Sequence, residues 1–337
     1  MTKLEPVPSW LTEALVNCGL APSHDSSSIM GAPLTGGVSS DIWVAFLSSG
    51  PVCVKRALAR LRVAVVWEAP TERSASEAAW LARARRVDAT AVPRLLGYDP
   101  ATRALALGWL DPGDHPQWKD QLLCGHIDGG VAVALGDRLG RFHAAMTSAA
   151  DPDAPLQFAN QALFESLRLE PYFGTTAVTH PELRVPLARL RADFVTNAST
   201  VVHGDVSPKN VLVGPTGPVL LDAECATWGD PAFDPAFLLS HLLLKARHRP
   251  SDRLALQRCA DDFWTAYVSR VAWEDAAALE SRTTAYWAAL VLARIDGSSP
   301  LEYLSTVQRD RARDAVMEFV AHPPDRLADL DPLWSDS

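Results

Sequence analysis

The sequence predicts an α+β fold of two lobes. The N-terminal lobe is expected to hold a five-stranded antiparallel sheet with one main helix, and the C-terminal lobe to be mostly helical with a few short strands. Three observations predict this. Short β-type runs surround a single helical stretch between residues 29 and 113. The cluster Asp111-Pro112-Gly113-Asp114-His115-Pro116 then breaks the pattern. Helical spacing dominates from residue 114 onward, interrupted by paired apolar runs near 201–222. The expected division is 1–28 as a helix and linker, 29–113 as the N-lobe and 114–337 as the C-lobe.

Residues 8–18 have helical spacing, with Ser9 as the expected N-cap and Gly19 and Pro22 ending the run. A polar linker follows at His24–Ser28. Residues 29–47 read as two strands around Thr35-Gly36-Gly37-Val38-Ser39-Ser40-Asp41. Glycines let a backbone approach phosphate closely, so Gly36, Gly37 and Ser39 are candidate phosphate contacts; an ordinary connecting turn accounts for them equally. The stretch is not a Walker A motif. Lys55 closes the apolar run Val52–Val54 and can reach nucleotide phosphates, with Arg56 as its competitor. Residues 70–86 predict a helix opened by Pro70. Within it Glu77 lies among apolar Ala78, Trp80 and Leu81 and is the first candidate partner for the lysine; Glu72, in the first turn where a glutamate usually serves the helix dipole, is the second. Residues 92–98 and 104–110 complete the sheet around the turn 99–103.

In the second half, 131–147 predicts an amphipathic helix containing His143, read as a structural hydrogen-bonding histidine. Further helices are expected at 156–172, 182–197, 234–245, 251–271, 274–294 and 306–320. The central stretch is Val201-Val202-His203-Gly204-Asp205-Val206-Ser207-Pro208-Lys209-Asn210-Val211-Leu212-Val213, followed by Val219-Leu220-Leu221-Asp222-Ala223-Glu224. It reads as strand, loop, strand, turn, strand. Asp205 can accept a proton from an attacking hydroxyl. Asn210 and Asp222 offer hard oxygen ligands suited to Mg2+.

Composition narrows the partners. Net charge is −9 with no Lys/Arg block, which argues against extended contact with nucleic acid or an anionic membrane. The five cysteines are scattered without zinc or redox spacing, so a reducing cytoplasm is expected. The N-terminus carries no signal-peptide core, and the apolar run 287–293 is too short to span a bilayer.

The pattern His203-Gly204-Asp205 … Asn210, then Asp222-Ala223-Glu224 and Trp228-Gly229-Asp230-Pro231-Ala232-Phe233-Asp234, resembles the aminoglycoside phosphotransferase and small-molecule kinase family, of protein-kinase-like fold. The resemblance implies that Asp205 is the catalytic base on short catalytic strands and that Asn210 and Asp222 hold Mg2+. It implies that Lys55, oriented by Glu77, positions ATP or GTP, and that the backbone of Trp109 and Leu110 meets the purine. Acceptor contacts are expected from Arg168, Glu224, Trp228 and Asp230. Arg294 resembles the arginine that methylthioribose kinases present to their substrate. Gly204 and Ser207 depart from the protein-kinase loop, and Lys209 departs from the small residue common in antibiotic kinases. The implied activity is phosphorylation of a small-molecule hydroxyl. An antibiotic of aminoglycoside or nucleoside type, and hence resistance, is the first expectation. The alternatives are a metabolic kinase acting on methylthioribose, a sugar, choline or homoserine, and a nucleotide-binding pseudokinase. The chain is expected to act as a monomer or homodimer.

Overall fold

The computed structural model describes residues 4–22, 29–34, 39–62 and 68–334. The chain forms two compact units, Met1–Asp114 with Asp222–Glu224, and His115–Leu221 with Cys225–Ser337.

In the first unit, strands β1 (Glu5–Pro6), β2 (Met30–Pro33), β3 (Ser40–Leu47), β4 (Gly50–Ala57), β5 (Leu95–Asp99) and β6 (Ala104–Gly108) form one sheet in the order β1-β2-β3-β4-β6-β5. Every pairing is antiparallel. The five expected strands are joined by a sixth, β1, which pairs Glu5 with Gly31 at the sheet edge. A two-residue strand containing proline has no alternation to read, and an edge is where proline is tolerated.

Helix α1 (Ser9–Asn17) buries Leu11, Ala14 and Leu15 against Ala45, Val52, Val54, Ala104 and Ala106. Each fully buried leucine contributes roughly 1.5–3 kcal/mol. Ser9 is the first helical residue rather than the cap. Pro8 takes the cap position in an extended conformation, and no side chain caps the helix. Because strand side chains alternate, Lys55 leaves the sheet on the face opposite Val54. Helix α2 (Arg73–Val87) covers that face and brings Glu77 to it.

The second unit is helical, with α3 (Trp118–Leu123), α4 (Gly129–Ala145), α5 (Ala154–Gln157), α6 (Gln161–Phe164), α7 (Thr175–Thr179), α8 (Arg184–Thr196), α9 (Phe233–His248), α10 (Arg253–Val268), α11 (Ala276–Asp296) and α12 (Thr306–Ala321). The expected 156–172 helix is broken into α5, α6 and a wide π-helical segment, Glu165–Gly174, which includes Pro171. Proline supplies no N–H to a tight helical ladder, so the break is built into the sequence. Helix α4 is capped by Asp128, α11 by Asp275, and α12 by a Ser305–Gln308 capping box. Phe164, Phe194, Phe233, Phe237 and Tyr286 stack around α9, which is buried along nearly its whole length. Strand β7 (Thr200–Val202) pairs with β10 (Thr227–Gly229), and β8 (Val211–Gly214) with β9 (Gly217–Leu220). Among the described residues no helix is long and apolar enough to cross a membrane.

Candidate active site

In the first unit, the Lys55 ammonium lies 2.8 Å from Glu77 Oε2 and is also bonded to Asp222 Oδ1. Lys55 is 6% exposed and Glu77 2%. Burial works against the charged ammonium, but Asp222, Glu77 and Glu224 outweigh it and hold Lys55 well above the usual lysine range. Lys55 is therefore a fixed cation. Arg56, its rival from the sequence, is committed elsewhere, 3.0 Å from Asp41 and over the ring of Trp10.

Asp222 has φ of 68°, a left-handed conformation that costs a non-glycine residue about 1 kcal/mol or more. Two ion pairs hold this segment in place. Asp222 bonds Lys55, and Glu224 accepts from Arg73 Nε at 3.0 Å. Arg73, fully buried, also donates to the carbonyls of Ala69, Pro70, Ser39 and Leu58. Neither spacing nor apolar period singles out Arg73 in the sequence. A signal existed: a cation in the first turn of a helix opposes the macrodipole, so its position calls for a partner elsewhere.

In the second unit, Asp205 stands in the loop between β7 and β8. Arg168 Nη2 lies 2.8 Å and Lys209 Nζ 3.1 Å from its Oδ2. Asp234 anchors the loop by accepting from the backbone N–H groups of His203 (2.6 Å) and Gly204 (2.8 Å). His143, bonded to Tyr267 and Asp234, completes this buried support. His203 braces the other side through the Leu221 carbonyl and the Asp205 N–H. Gly204 has φ of 78°, and a Cβ there would stand 2.6 Å from the Phe164 ring. That requirement explains the glycine.

Asn210 donates through Nδ2 to the Asp205 carbonyl at 3.0 Å, which turns its amide oxygen away as an acceptor. Its carbonyl takes the N–H of Leu221, the residue before Asp222. The Asp222 side chain is 25% exposed. An amide oxygen and a carboxylate are chemically suited to a hard cation such as Mg2+. Among the described residues no group of three or more His, Cys, Asp or Glu could hold a metal.

Gly36 and Gly37 lie outside the described residues. The Ser39 carbonyl is occupied by Arg73 and the Leu58 N–H. Trp109 and Leu110 are half-buried and follow directly on the last ladder pair of β6, Val52–Gly108. Four of the acceptor candidates already have partners within the chain. Arg168 serves Asp205, Glu224 serves Arg73, and Asp230, fully buried, accepts from Arg282 and the Ala232 N–H. Trp228 lies in β10 with its backbone tied to Phe158. Arg294, at the end of α11, bonds Ser299 and approaches the Tyr172 hydroxyl at 3.5 Å.

A methylthioribose kinase of Erwinia tasmaniensis is 28% identical over 220 residues, covering 57% of this chain and 54% of the relative. The chain thus spans about half the length of that curated relative. Among solved structures, an amicoumacin kinase bound to AMP-PNP and Ca2+ aligns with TM-score 0.54 and 16% identity over 90% of this chain and 91% of that one. An ethanolamine kinase of Plasmodium vivax aligns with TM-score 0.53 and 11% identity, covering 95% and 84%. These likenesses establish the protein-kinase-like fold. The family model described as the phosphotransferase enzyme family (APH) matches residues 31–279, and the chain belongs to that family.

Proposed function

We propose that the chain transfers the γ-phosphate of ATP or GTP to a hydroxyl of a small molecule. The observation that carries this reading is Asp205, a buried carboxylate on an anchored loop and oriented by two cations. Asp205 accepts the hydroxyl proton as the acceptor oxygen bonds to the γ-phosphorus. The bond from that phosphorus to the bridging oxygen breaks, releasing the nucleoside diphosphate. Lys55, pinned by Glu77, holds the α- and β-phosphates, with the Gly36-Gly37-Ser39 turn covering them and the backbone of Trp109 and Leu110 meeting the purine. Asn210 and Asp222 would hold Mg2+, which when bound neutralises charge on the phosphate oxygens. Catalysis of this kind is mostly positioning and charge neutralisation.

The acceptor is a polar, hydroxylated compound. Arg168 and Lys209, both paired with Asp205, leave a small local excess of positive charge, which favours nucleoside-type or other non-cationic antibiotics over a polycationic aminoglycoside. The metabolite reading is supported by the relatives named methylthioribose kinase. A reducing, cytoplasmic setting suits the five free cysteines.

The test is release of ADP or GDP with Mg2+ across nucleoside antibiotics, aminoglycosides, methylthioribose, sugars and hydroxy acids. Asp205→Asn is the control. Turnover on one class that the variant abolishes, with nucleotide binding retained, supports the proposal; turnover unchanged in Asp205→Asn sinks it.

A further inference from the structure

Helix α9 carries His241 and, one turn later, Lys245. They are 5% and 1% exposed. Among the described residues no carboxylate lies within ion-pair distance of Lys245; its ammonium faces the Tyr303 ring, 5.3 Å from the centroid. Arg294 comes from α11, which packs on α9. Its Nη1 donates to Ser299 Oγ at 2.8 Å, while its Nε is buried without an acceptor. The Tyr303 hydroxyl is likewise buried without a partner. Lys119 and Lys209 add charge at the margins, each holding one carboxylate, Glu302 at 2.8 Å and Asp205 at 3.1 Å. Lys209, paired with Asp205, also acts electrostatically on His241 of the cluster.

These charges act on one another. Burial, then Lys119 and Arg294, push the Lys245 ammonium down to about 7. Burial, then Arg294, Lys245, Lys209 and Lys119, hold His241 well below the usual histidine range. A desolvated ammonium whose nearby carboxylate, Glu302, is already held by Lys119 is costly, and so are buried donors without acceptors. An oxyanion held beside Lys245 would supply its missing counter-charge and an acceptor for the buried Arg294 Nε and Tyr303 hydroxyl, both of which belong to groups that interact electrostatically with it or with each other.

We propose that Lys245, Arg294 and Tyr303 form an oxyanion subsite of the acceptor pocket, so that the molecule phosphorylated beside Asp205 carries a carboxylate or phosphate as well as its hydroxyl. The acceptor half of this statement rests on the kinase reading; anion binding by the cluster does not.

Sulfate, whose charge is constant across the range, is titrated calorimetrically into protein saturated with AMP-PNP and Mg2+. Lys245→Met is expected to weaken binding at least about tenfold, and wild-type affinity to fall about tenfold from pH 6 to pH 8.5 as the ammonium is lost. Absence of sulfate binding, or equal affinity in a folded Lys245→Met, overturns the subsite. Should that variant fail to fold, wild-type affinity unchanged with pH overturns it. ADP release is then compared for matched acceptors: glycerol with glycerate, glucose with gluconate and glucose 6-phosphate, and choline and kanamycin as cations. A KM advantage for the oxyanion members that Arg294→Gln removes supports the proposal. Turnover confined to neutral or cationic members and unaffected by Lys245→Met overturns it. Sulfate binding lost in Lys245→Met without turnover of any acceptor supports the subsite and counts against the kinase reading alone.

Discussion

Arg168 grips both the carboxylate and the backbone of the Asp205 loop: Nη2 lies 2.8 Å from Asp205 Oδ2, and Nε donates to the Gly204 carbonyl at 2.7 Å. A third contact, from Nη1 to its own neighbour's carbonyl at Leu167, fixes the guanidinium plane. Asp205 is thus presented in one orientation by a residue on the π-helical segment.

Arg168→Met is therefore expected to lower kcat by about 10- to 100-fold through lost orientation, with nucleotide KM little changed. Arg168→Lys should not rescue it, because an ammonium cannot reproduce a planar three-point fork. Steady-state ADP release with thermal melts of each variant checks this. Full rescue by lysine would mean that charge alone, and not geometry, is what Asp205 needs.

Lys55 is shared between Glu77 and Asp222, so its partners act as a unit. Lys55→Met should reduce kcat/KM for nucleotide by about 100-fold or more, and Glu77→Gln by less, because Asp222 still holds the ammonium. The double variant should be no worse than Lys55→Met, a non-additivity expected of residues in one network. Additive losses in the double-mutant cycle would show that Glu77 acts independently of Lys55.

The strands of residues 29–110 were legible because alternation of apolar residues is a local signal, and the long helices because their period is 3.6. Glu77 could be singled out for the same reason: an acid on an apolar helix face stands out locally. Asp205, Asn210 and Asp222 share one short stretch, so spacing alone brought them to notice. Arg168 and Arg73 were harder, since their partners are distant in the chain and neither spacing nor period records the encounter. Asp234 sat in a readable motif, yet its task, capturing two loop N–H groups, depends on backbone geometry that side-chain patterns do not encode. The orphaned Nε of Arg294 and the unpaired Lys245 are likewise products of packing; an apolar helix carrying one lysine reads as an ordinary buried helix.

Gly204 tests how tightly the loop is built. Its φ of 78° and the 2.6 Å and 3.0 Å approaches of Phe164 and Cys225 leave no room for a methyl group. Gly204→Ala should destabilise the fold by about 2–4 kcal/mol, combining left-handed strain with a clash against a stacked aromatic core. Chemical denaturation measures it. A loss under about 0.5 kcal/mol would show that the Phe164 ring yields freely.

Arg73 satisfies five acceptors from full burial, four of them carbonyls and one the Glu224 carboxylate. Arg73→Leu would leave a buried carboxylate unpaired and should cost about 3–5 kcal/mol. Adding Glu224→Gln to that variant should recover part of the loss, because the stranded charge is then removed. Urea unfolding of the two single variants and the double variant checks the sign of the coupling.

Lys245 gives stability a pH dependence of unusual sign for the alkaline range. Its ammonium is pushed down to about 7 in the folded chain by burial, then by Lys119 and Arg294, against an ordinary value of 10.5. Between these two values the unfolded chain binds the proton and the folded chain does not. Stability from this group therefore rises with pH across the window, by up to about 1.4 kcal/mol per pH unit, and is at its lowest below pH 7. Lys245→Met should be more stable than wild type at pH 7 and should flatten the rise between pH 7 and 9. Saturating sulfate should do the same to the wild type, because an anion paired with the ammonium removes the cost of keeping it charged. Melts at pH 7, 8 and 9 for both proteins decide the matter. Parallel curves would mean that the Lys245 ammonium is solvated well enough to stay charged throughout, and that the cluster around it has no need of a counter-ion.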